Sequence, residues 1–544
     1  MTWQGENFGY AIKAVAGVVE PDRPALIHGD RIVTWAEFDT ITDSIAAGLL
    51  DAGLKPGAVA GQMLRNGPEY MLAYFGCAKA GITPINVNYH YKDRELRDIF
   101  ARFEIEALFV NEEFADTACS AMPDGALEPF VVERSESGWV ALCSTQVPDD
   151  FTVCRDTSRM FYLATGGTTG LPKTVMWPFS EAWQALGVAS WTPSILVPPL
   201  IAESLEQHLE QAARIGPGDE QSTSPMMVLC PLMHGTAQYS AVNALMHGGT
   251  LVTLPGSGFD ANLTIDTIRE RQVRTIVIVG DAFAIPLADA LEAREDAAGA
   301  IASLSTIGSS GALFSLPLKQ RLLAINPAMV IQDVLGSSES GGTAIRVTTA
   351  AGSLAGGRFV AVPDRDTKLL GEGLKEIPPG SDGIGIVARS GPLPAGYLGE
   401  DEKNAQTFPV IDGKRYLLTG DQARWGEDGS LEFIGRDNMC INTGGEKVFP
   451  EEVEEVLMDH ARVHDVRVVS LPDERFGRRV VAVVQPHGDV QGLADELDAH
   501  MRAEMATYKV PRAYFFTTES LRLNNGKPDY RTAQRIADEA DGSG

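Results

Sequence analysis

A glycine- and threonine-rich loop directly after an apolar segment constrains this sequence most. Residues 160–164 (Met-Phe-Tyr-Leu-Ala) predict a buried strand, and residues 165–173 (Thr-Gly-Gly-Thr-Thr-Gly-Leu-Pro-Lys) follow it. Glycines let backbone N–H groups approach an anion closely, while threonine hydroxyls and the lysine add donors. The loop is therefore a candidate phosphate site, with an ordinary turn as the alternative. It is not a Walker A loop, because Pro172 stands where that motif has glycine before its lysine.

The size and charge of the chain limit the kinds of protein that it can be. Of its 544 residues 44% are hydrophobic, which is enough for a large core and more than one domain. The formal net charge is −28, and a field of that sign opposes binding to nucleic acid or to anionic membranes. We therefore expect no nucleic-acid partner, whereas the charge specifies neither a substrate nor an oligomeric state.

Targeting signals and cysteine spacing point to one compartment. The first residues lack the basic and apolar regions of a signal peptide, and no apolar run is long enough to span a bilayer. The six cysteines show no metal-ligand spacing. These features predict a cytoplasmic protein without an integral membrane segment, whose thiols are reduced and mostly buried.

Strand and helix patterns alternate through the first two thirds of the chain. Thr34 and Glu37 form a predicted capping box that opens a helix. Residues 60–88 predict a strand, a helix and a second strand, and further strands are predicted at 250–254 and 275–279. This alternation predicts an α/β fold with layered, largely parallel sheets.

The pattern changes twice towards the C-terminus. Short strands, glycines and prolines dominate residues 352–421 and predict a β-rich subdomain. A further α+β unit follows, in which Pro450 is suited to the first turn of a helix. We therefore predict a large N-terminal domain over residues 1–436 and a small, mobile C-terminal domain over residues 437–544.

Several further motifs follow the phosphate-loop candidate in a fixed order. They lie at residues 231–236, 309–313, 335–339, 391–397, 416–421, 433–436, 441–454 and 525–531. Each motif alone is weak, but the ordered set over nearly the whole chain resembles the adenylate-forming superfamily of acyl-CoA synthetases, luciferases and peptide-synthetase adenylation domains. Within that superfamily the chain is most similar to actinobacterial acyl-CoA synthetases that act on steroid side-chain or fatty acids.

The resemblance implies a reaction in two halves. A carboxylate attacks the α-phosphate of ATP in the presence of Mg²⁺, giving an acyl-adenylate and pyrophosphate. The thiol of coenzyme A then displaces AMP and leaves a thioester. Such transfer depends on positioning and charge neutralisation.

The resemblance also assigns nucleotide- and coenzyme-binding residues. Residues 165–169 and Lys173 would hold the β- and γ-phosphates, Asp421 and Arg436 would contact the ribose, and residues 443–447 would line the pantetheine tunnel. The full binding set is Thr165, Gly166, Gly167, Thr168, Thr169, Lys173, Gly311, Ala312, Gly336, Ser337, Ser338, Asp421, Arg436, Gly444, Gly445 and Lys447. Within this set the backbone of Gly311 and Ala312 would pack against adenine.

Three residues complete the implied catalytic set. Lys527 would reach the substrate carboxylate and the α-phosphate, Glu339 would bind Mg²⁺, and His234 would gate the acyl pocket. Taken singly, these three residues have ordinary structural alternatives: a surface lysine for Lys527, a helix cap for Glu339 and a core histidine for His234. Asp421 of the ribose pair could likewise be a turn residue.

Four positions depart from the usual family pattern. Thr174 replaces a glycine, Leu335 replaces an aromatic residue that stacks on adenine, and Ser338 replaces a threonine. Asn438 stands at the hinge, where aspartate or lysine is usual, and could still pivot. These changes affect the expected ATP affinity and leave the reaction class unchanged.

The acyl substrate is the least constrained feature. The pocket is expected to draw on residues 234–244, 280–286 and 309–314, whose small and apolar members fit an apolar ligand. Residues 191–227 contain no family motif, and an amphipathic helix is predicted at 201–215. We hypothesise that this stretch roofs a wide pocket for a bulky acid, with an ordinary surface helix as the alternative.

The leading interpretation is an ATP-dependent acid–CoA ligase for a bulky apolar acid, either a steroid side-chain acid or a medium- or long-chain fatty acid. An adenylation enzyme that loads a carrier protein is the main alternative. A degenerate nucleotide-binding protein is a third, and intact Lys527, Glu339 and Asp421 disfavour it.

Overall fold

The computed structural model describes most of the chain. The described residues are 3, 5–133, 138–165, 172–188, 190–191, 200–215, 224–353, 357–362, 366–436, 439, 441–443, 446–473, 477–505, 507–523 and 526–542. The predicted α/β class is confirmed, because helices and largely parallel sheets alternate along this part of the chain.

The α-helices are spread over the whole chain. In order they are α1 (Phe8–Ala16), α2 (Trp35–Asp51), α3 (Pro68–Ala80), α4 (Asp93–Phe103), α5 (Glu112–Ala121), α6 (Gly138–Cys143), α7 (Phe179–Ala185), α8 (Leu205–Arg214), α9 (Gly235–Met246), α10 (Ala261–Arg271), α11 (Asp281–Glu292), α12 (Ala297–Ala300), α13 (Leu316–Ile325), α14 (Asp401–Thr407), α15 (Pro450–Met458), α16 (Leu493–Glu504) and α17 (Tyr530–Ala540).

The strands up to residue 337 contain between two and eight residues. Up to residue 337 they are β1 (Pro24–His28), β2 (Arg31–Thr34), β3 (Val59–Met63), β4 (Thr83–Asn86), β5 (Ile105–Val110), β6 (Phe130–Val131), β7 (Met160–Thr165), β8 (Lys173–Pro178), β9 (Ser190–Trp191), β10 (Leu200–Ile201), β11 (Met226–Val228), β12 (Leu251–Thr253), β13 (Thr275–Ile278), β14 (Thr306–Ser310) and β15 (Val330–Ser337).

The remaining strands build the β-rich and C-terminal parts. They are β16 (Gly341–Thr349), β17 (Gly352–Ser353), β18 (Val360–Ala361), β19 (Thr367–Leu370), β20 (Glu376–Ile377), β21 (Gly385–Arg389), β22 (Gly396–Tyr397), β23 (Val410–Ile411), β24 (Lys414–Arg415), β25 (Leu417–Trp425), β26 (Leu431–Arg436), β27 (Ile441–Thr443), β28 (Glu446–Val448), β29 (Val463–Asp473), β30 (Gly477–Pro486) and β31 (Tyr514–Phe516).

Two layered sheets form the bulk of the large domain. One has the order β17-β16-β15-β14-β13-β11-β12-β1-β2, and the other β22-β8-β7-β4-β3-β5-β6. A single hydrophobic cluster contains Phe161 of β7, Ile276 of β13 and most of α3. Because α3 is buried almost all round, it is a core helix rather than a surface helix. The two sheets therefore share one core.

Local sequence signals fixed several elements. The Thr34 hydroxyl accepts a hydrogen bond from the Glu37 N–H (3.2 Å), and Glu37 Oε2 accepts one from the Thr34 N–H (2.8 Å), which confirms the capping box. The helix predicted at 201–215 is shorter than expected. It begins at Leu205, because the Ser204 hydroxyl caps it by accepting from the Gln207 N–H (3.2 Å).

The β-rich part is an antiparallel sheet of order β20-β19-β21-β25-β26. It extends past the predicted limit at residue 421, because β26 pairs with β25 and carries the sheet to Arg436. A small hydrophobic cluster that includes Ala423 and Leu431 connects this sheet to β16 through Ala344.

The C-terminal part has its own core. Its sheet has the order β29-β30-β31, and Pro450 begins α15 as predicted. Two hydrophobic clusters draw all their buried members from residues 441–537. From the large domain, Leu313 packs against the first of them. This part therefore folds around its own side chains and touches the large domain from outside.

The prediction of mostly buried thiols is wrong. Of the five cysteines in the described residues, Cys77 and Cys230 are buried, Cys143 and Cys154 are half-buried, and Cys119 is exposed. Alternating helical and strand faces leave some small apolar side chains at the surface, which composition alone does not reveal. Within the described residues no helix is both long and apolar enough to cross a membrane.

Candidate active site

Parallel strands of the larger sheet end at one edge and bring the site together. β11, β13, β14 and β15 are paired in parallel in that order. The segments that follow them carry His234, Asp281, Gly311 and Glu339, respectively. Because the carboxyl ends of parallel strands meet at the same edge, residues far apart in sequence share one crevice.

His234 lies just before α9, at the mouth of this crevice. Its side chain is half-buried, and within the described residues its Nε2 atom is buried without a hydrogen-bond partner. Burial lowers the pKa of His234 to about 3, and the positive charges of Lys527 and His90 add to the effect. The imidazole is therefore neutral at physiological pH, which suits a pocket-lining residue and does not suit a proton donor.

The neutral state of His234 makes a testable prediction. Because its folded pKa lies below the usual 6.5, protonation favours the unfolded state, and stability is lost as pH falls from about 6.5 towards 3. Between pH 5.5 and 8, as a working range, we expect His234→Gln to keep the shape of the pH–rate profile while changing KM for the acid by about tenfold or less. A wild-type inflection near 6.5 that disappears in the variant would contradict this.

The loop carrying Glu339 is held by two side chains from other elements. The Ser338 carbonyl accepts hydrogen bonds from Trp177 Nε1 (2.9 Å) and from the Tyr239 hydroxyl (2.7 Å). Gly336 has no room for a side chain, because a Cβ there would lie 2.1 Å from the Gly341 carbonyl oxygen. The loop is therefore fixed relative to β8 and α9 before any ligand arrives.

Glu339 has a partner that sequence reasoning did not assign. The Tyr397 hydroxyl donates a hydrogen bond to Glu339 Oε1 at 2.6 Å. Lys173 Nζ lies over the same ring, 5.5 Å from its centroid. Tyr397 thus contacts both the phosphate-loop lysine and the carboxylate predicted to hold Mg²⁺. The motif at 391–397 marked the residue in the sequence, but nothing local indicated its contact.

Removing the Tyr397 hydroxyl is expected to loosen Glu339. In Tyr397→Phe the ring remains and the hydrogen bond to a charged group is lost, an effect of about 1.5–3 kcal/mol. We expect kcat/KM to fall about tenfold and the Mg²⁺ concentration for half-maximal rate to rise. Tyr416→Phe serves as a control, because its hydroxyl bonds Asp366 (3.1 Å) in the β-rich part. An unchanged Mg²⁺ requirement in Tyr397→Phe would contradict the interpretation.

The phosphate-loop candidate connects the two strands of a hairpin. Thr165 and Lys173 are cross-strand partners in the antiparallel pair β7–β8, and the Thr165 hydroxyl donates to the Lys173 carbonyl (3.2 Å). Gly166, Gly167, Thr168 and Thr169 lie outside the described residues. The structure therefore fixes both ends of the loop next to Tyr397.

Lys527 is carried to the crevice by the small domain. Its positive charge lowers the pKa of His234, and it counteracts the burial that raises the pKa of Cys230 to about 12. The preceding Gly526 lies against the large domain, since a Cβ there would be 3.0 Å from Ala282 Cβ. Although exposed, Lys527 faces the same opening as His234.

The predicted ribose pair is adjacent in the β-rich sheet. Asp421 is buried at 2% exposure and lies directly opposite Arg436 across β25 and β26. Its N–H donates to the Thr419 hydroxyl (3.1 Å). Gly311 adopts a left-handed backbone angle (φ +86°) directly after β14, with Ala312 half-buried beside it. These placements are compatible with ribose and adenine contacts.

The remaining predicted residues belong to the small domain or its hinge. Lys447 lies in β28, which pairs with β27. Gly444, Gly445 and Asn438 lie outside the described residues. Of the residues predicted to line the pantetheine tunnel, the structure therefore places Thr443 at the end of β27 and Lys447 in β28.

The structure shows the packing of two residues that depart from the usual family pattern, Thr174 and Leu335. Thr174 is fully buried within β8 and has an ordinary strand backbone, where a β-branched residue fits without strain. Leu335 packs against the cluster of the β-rich part that contains Phe359 and Ala344. Its side chain contributes to a core.

The helix proposed as a pocket roof lies elsewhere. α8 contacts α1, and its buried His208 stands beside His247 (ring centroids 5.6 Å apart) at the C-terminal end of α9. His234 is at the other end of α9, roughly 18 Å away at 1.5 Å per residue. α8 therefore packs against α1 and lies near the end of α9 that is distant from His234. Much of the rest of 191–227 lies outside the described residues, and the roof hypothesis stays a prediction.

Comparisons with known proteins agree with this geometry. The family model described as AMP-binding enzyme matches residues 14–398, and the AMP-binding enzyme C-terminal domain matches residues 452–527. The chain is 35% identical to the medium/long-chain-fatty-acid–CoA/3-oxocholest-4-en-26-oate–CoA ligase of Mycolicibacterium smegmatis, covering 97% of this chain and 95% of that protein. It is 36% identical to the 3-oxocholest-4-en-26-oate–CoA ligase of Rhodococcus rhodochrous, covering 96% of each.

A solved structure gives the same fold. The anthranilate CoA ligase AuaEII, in complex with anthranoyl-AMP, matches with a TM-score of 0.81 at 19% identity over 98% of both chains. The chain therefore belongs to the AMP-binding enzyme family, and its relatives place it among the AMP-forming acyl-CoA synthetases of that family. Such an enzyme uses ATP and coenzyme A to activate a carboxylic acid.

Proposed function

We propose that this enzyme activates a bulky apolar carboxylic acid, a steroid side-chain acid or a medium- or long-chain fatty acid, and that His234, Glu339 and Lys527 form its reaction centre. The proposal is carried by the proximity of the segments that bear these residues. A Cβ at Gly235, next to His234, would lie 3.4 Å from the Oγ atom of Ser338, next to Glu339, and the charge of Lys527 acts on His234. The two relatives named above support the substrate class.

The proposed mechanism assigns one task to each group. A substrate carboxylate oxygen attacks the α-phosphorus of ATP and pyrophosphate leaves; Lys527 stabilises the negative charge that grows at both reacting groups. Lys173 and the loop that begins at Thr165 hold the β- and γ-phosphates. Asp421 accepts hydrogen bonds from the ribose hydroxyls. In the second half the thiolate sulfur of coenzyme A attacks the acyl carbon and AMP leaves.

Glu339 fits a magnesium site of the kind the proposal needs. Within the described residues no group of three or more potential ligands gathers to hold a metal. Mg²⁺ is commonly bound through one or two carboxylates together with substrate phosphates, so Glu339 alone, held by Tyr397, is a sufficient protein ligand. When bound, Mg²⁺ would neutralise phosphate charge.

The acyl pocket is proposed to lie beside His234. Buried residues of α9 such as Ala237 and Ala241 are small, and Phe283 of α11 meets Phe259 edge-on (5.2 Å between centroids). Together with a neutral His234, these surfaces suit an apolar ligand. We further propose a division at residues 436–437 and a cytoplasmic location, where free thiols such as Cys77 persist.

The proposal is tested with a panel of acids. Pyrophosphate release is measured with ATP, Mg²⁺ and sterol side-chain, fatty or aryl acids, with and without coenzyme A. Release that depends on one of the first two acid classes and yields the CoA thioester supports the proposal. Release with aryl acids alone contradicts the substrate class. Adenylate formation without thioester, with transfer to a carrier protein instead, favours the carrier-loading alternative.

A further inference from the structure

A buried carboxylate at the start of α11 lies where the small domain meets the large one. Asp281 is fully buried, and its Oδ1 accepts a hydrogen bond from the Ser315 N–H (2.9 Å). Within the described residues, its Oδ2 is buried and has no hydrogen-bond partner. A carboxylate in such surroundings needs a nearby positive charge to remain ionised.

The positive charge comes from the small domain. Burial raises the pKa of Asp281 to about 6, while the guanidinium of Arg522 counteracts that rise. Arg522 is itself held by Asp465, with its Nε 2.8 Å from Oδ2 and its Nη2 3.0 Å from Oδ1. The guanidinium of Arg522 thus binds Asp465 of the small domain, and its positive charge also acts on Asp281 of the large domain.

Arg522 also shapes the loop that presents Lys527. Its backbone forms an antiparallel bridge with Pro528, and its Nη1 donates to the Gly526 carbonyl (3.4 Å). The Leu523 N–H donates to the Lys527 carbonyl (2.9 Å). A shift of the Arg522 side chain therefore moves the loop on which Lys527 stands.

The residues next to Asp281 form the surface on which this loop rests. A Cβ at Gly526, whose φ is +81°, would lie 3.0 Å from Ala282 Cβ and 3.1 Å from Phe283 Cε2. The Lys527 loop thus rests on Ala282 and Phe283. The charge of Asp281 acts on the same loop from the neighbouring position in the sequence.

We propose that Asp281 is a positioning residue that, through Arg522, holds the Lys527 loop in place for adenylate formation and takes no part in thioester formation. The inference rests on the proposed role of Lys527 in the first half of the reaction. Asp281 touches neither substrate nor nucleotide in this scheme; it sets where the small domain docks.

Asp281→Asn isolates the charge. The amide oxygen can still accept a hydrogen bond from the Ser315 N–H and the volume is kept, so the change removes the negative charge. The attraction to Arg522 is lost, together with the weaker attraction to Arg467. Two rates are measured: pyrophosphate release with acid and ATP in the absence of coenzyme A, and thioester formation from prepared acyl-adenylate and coenzyme A. We expect the first to fall about 10- to 30-fold, or about 1.4–2 kcal/mol, and the second to stay within about twofold.

Two further variants sharpen the test. Glu292→Gln removes a charge from the same helix, where the carboxylate pairs with Arg321 (2.7 Å), and both rates should be unchanged. Arg522→Gln should slow adenylate formation, and Asp281→Asn should add little in that background because the interaction is already lost.

The outcomes separate the inference from the function it depends on. Wild-type enzyme that releases no pyrophosphate with any acid would overturn the proposed function. With an active wild type, an equal fall of both rates in Asp281→Asn would show a merely structural role and overturn the inference. An unchanged adenylation rate, or full additivity with Arg522→Gln, would overturn it as well.

Discussion

Lys527→Ala is expected to lower the rate of adenylate formation by about 100- to 1000-fold, the usual effect of removing one preorganised group that stabilises charge in a transition state. Lys527 is the cation whose field reaches His234 and Cys230 at the crevice, and neither neighbour can replace it, since one is neutral and the other a protonated thiol. The measurement is pyrophosphate release at saturating ATP and acid.

The same variant should leave the second half of the reaction intact. Thioester formation from prepared acyl-adenylate is expected to stay within about threefold of wild type, because Lys527 acts on the α-phosphate during its transfer. Arg535→Ala is a matched control, a basic residue of the small domain whose exposed pairs with Glu519 and Glu539 contribute little. Equal loss in both halves, or equal loss in the control, would contradict the assignment.

Glu339→Gln is expected to lower kcat/KM by about 100-fold at limiting Mg²⁺, with partial recovery in excess metal. The oxygen of the new amide can still accept a hydrogen bond from the Tyr397 hydroxyl. The loop geometry is therefore kept, and only the anionic metal ligand is lost. A metal that stabilises charge on a phosphoryl oxygen lowers the free energy of the transition state by several kcal/mol. A 100-fold fall in kcat/KM corresponds to the loss of about 2.7 kcal/mol of that stabilisation. The measurement is initial rate against Mg²⁺ concentration.

A second carboxylate provides the control for that result. Glu376→Gln removes an exposed partner of Lys368 (2.5 Å) in the β-rich sheet and should leave both rate and Mg²⁺ dependence unchanged. If Glu339→Gln keeps the wild-type Mg²⁺ dependence while losing activity, the carboxylate acts in some way other than holding the metal.

Local features were predictable because their causes are local. The capping box of Thr34 and Glu37 and the start of α15 at Pro450 each depend on neighbours within one helical turn. The α/β class followed from the alternation of apolar segments, which directly reflects layered packing. The helix at 201–215 was misjudged at its start, since apolar periodicity continued through Ile201 although Ser204 caps the helix.

Contacts between distant segments were not predictable in the same way. Tyr397 and Glu339 are 58 residues apart, and Asp281 and Arg522 belong to different domains. Their pairing depends on how two sheets and two domains pack, which no short window of sequence encodes. The family resemblance assigned site residues by position. The groups that orient Glu339 come from β8 and β22 of the other sheet, through Trp177 and Tyr397.

The separate core of the small domain also has a thermodynamic consequence. The buried members of its two clusters come from residues 441–537 alone, so undocking would break only the contacts at its surface. These contacts include the ion pair Arg346–Glu455 (3.3 Å) and the packing of Leu313. The heat-capacity change of undocking should therefore be small compared with that of unfolding. We therefore expect undocking to leave the core of the small domain intact, so that calorimetry would distinguish undocking from unfolding.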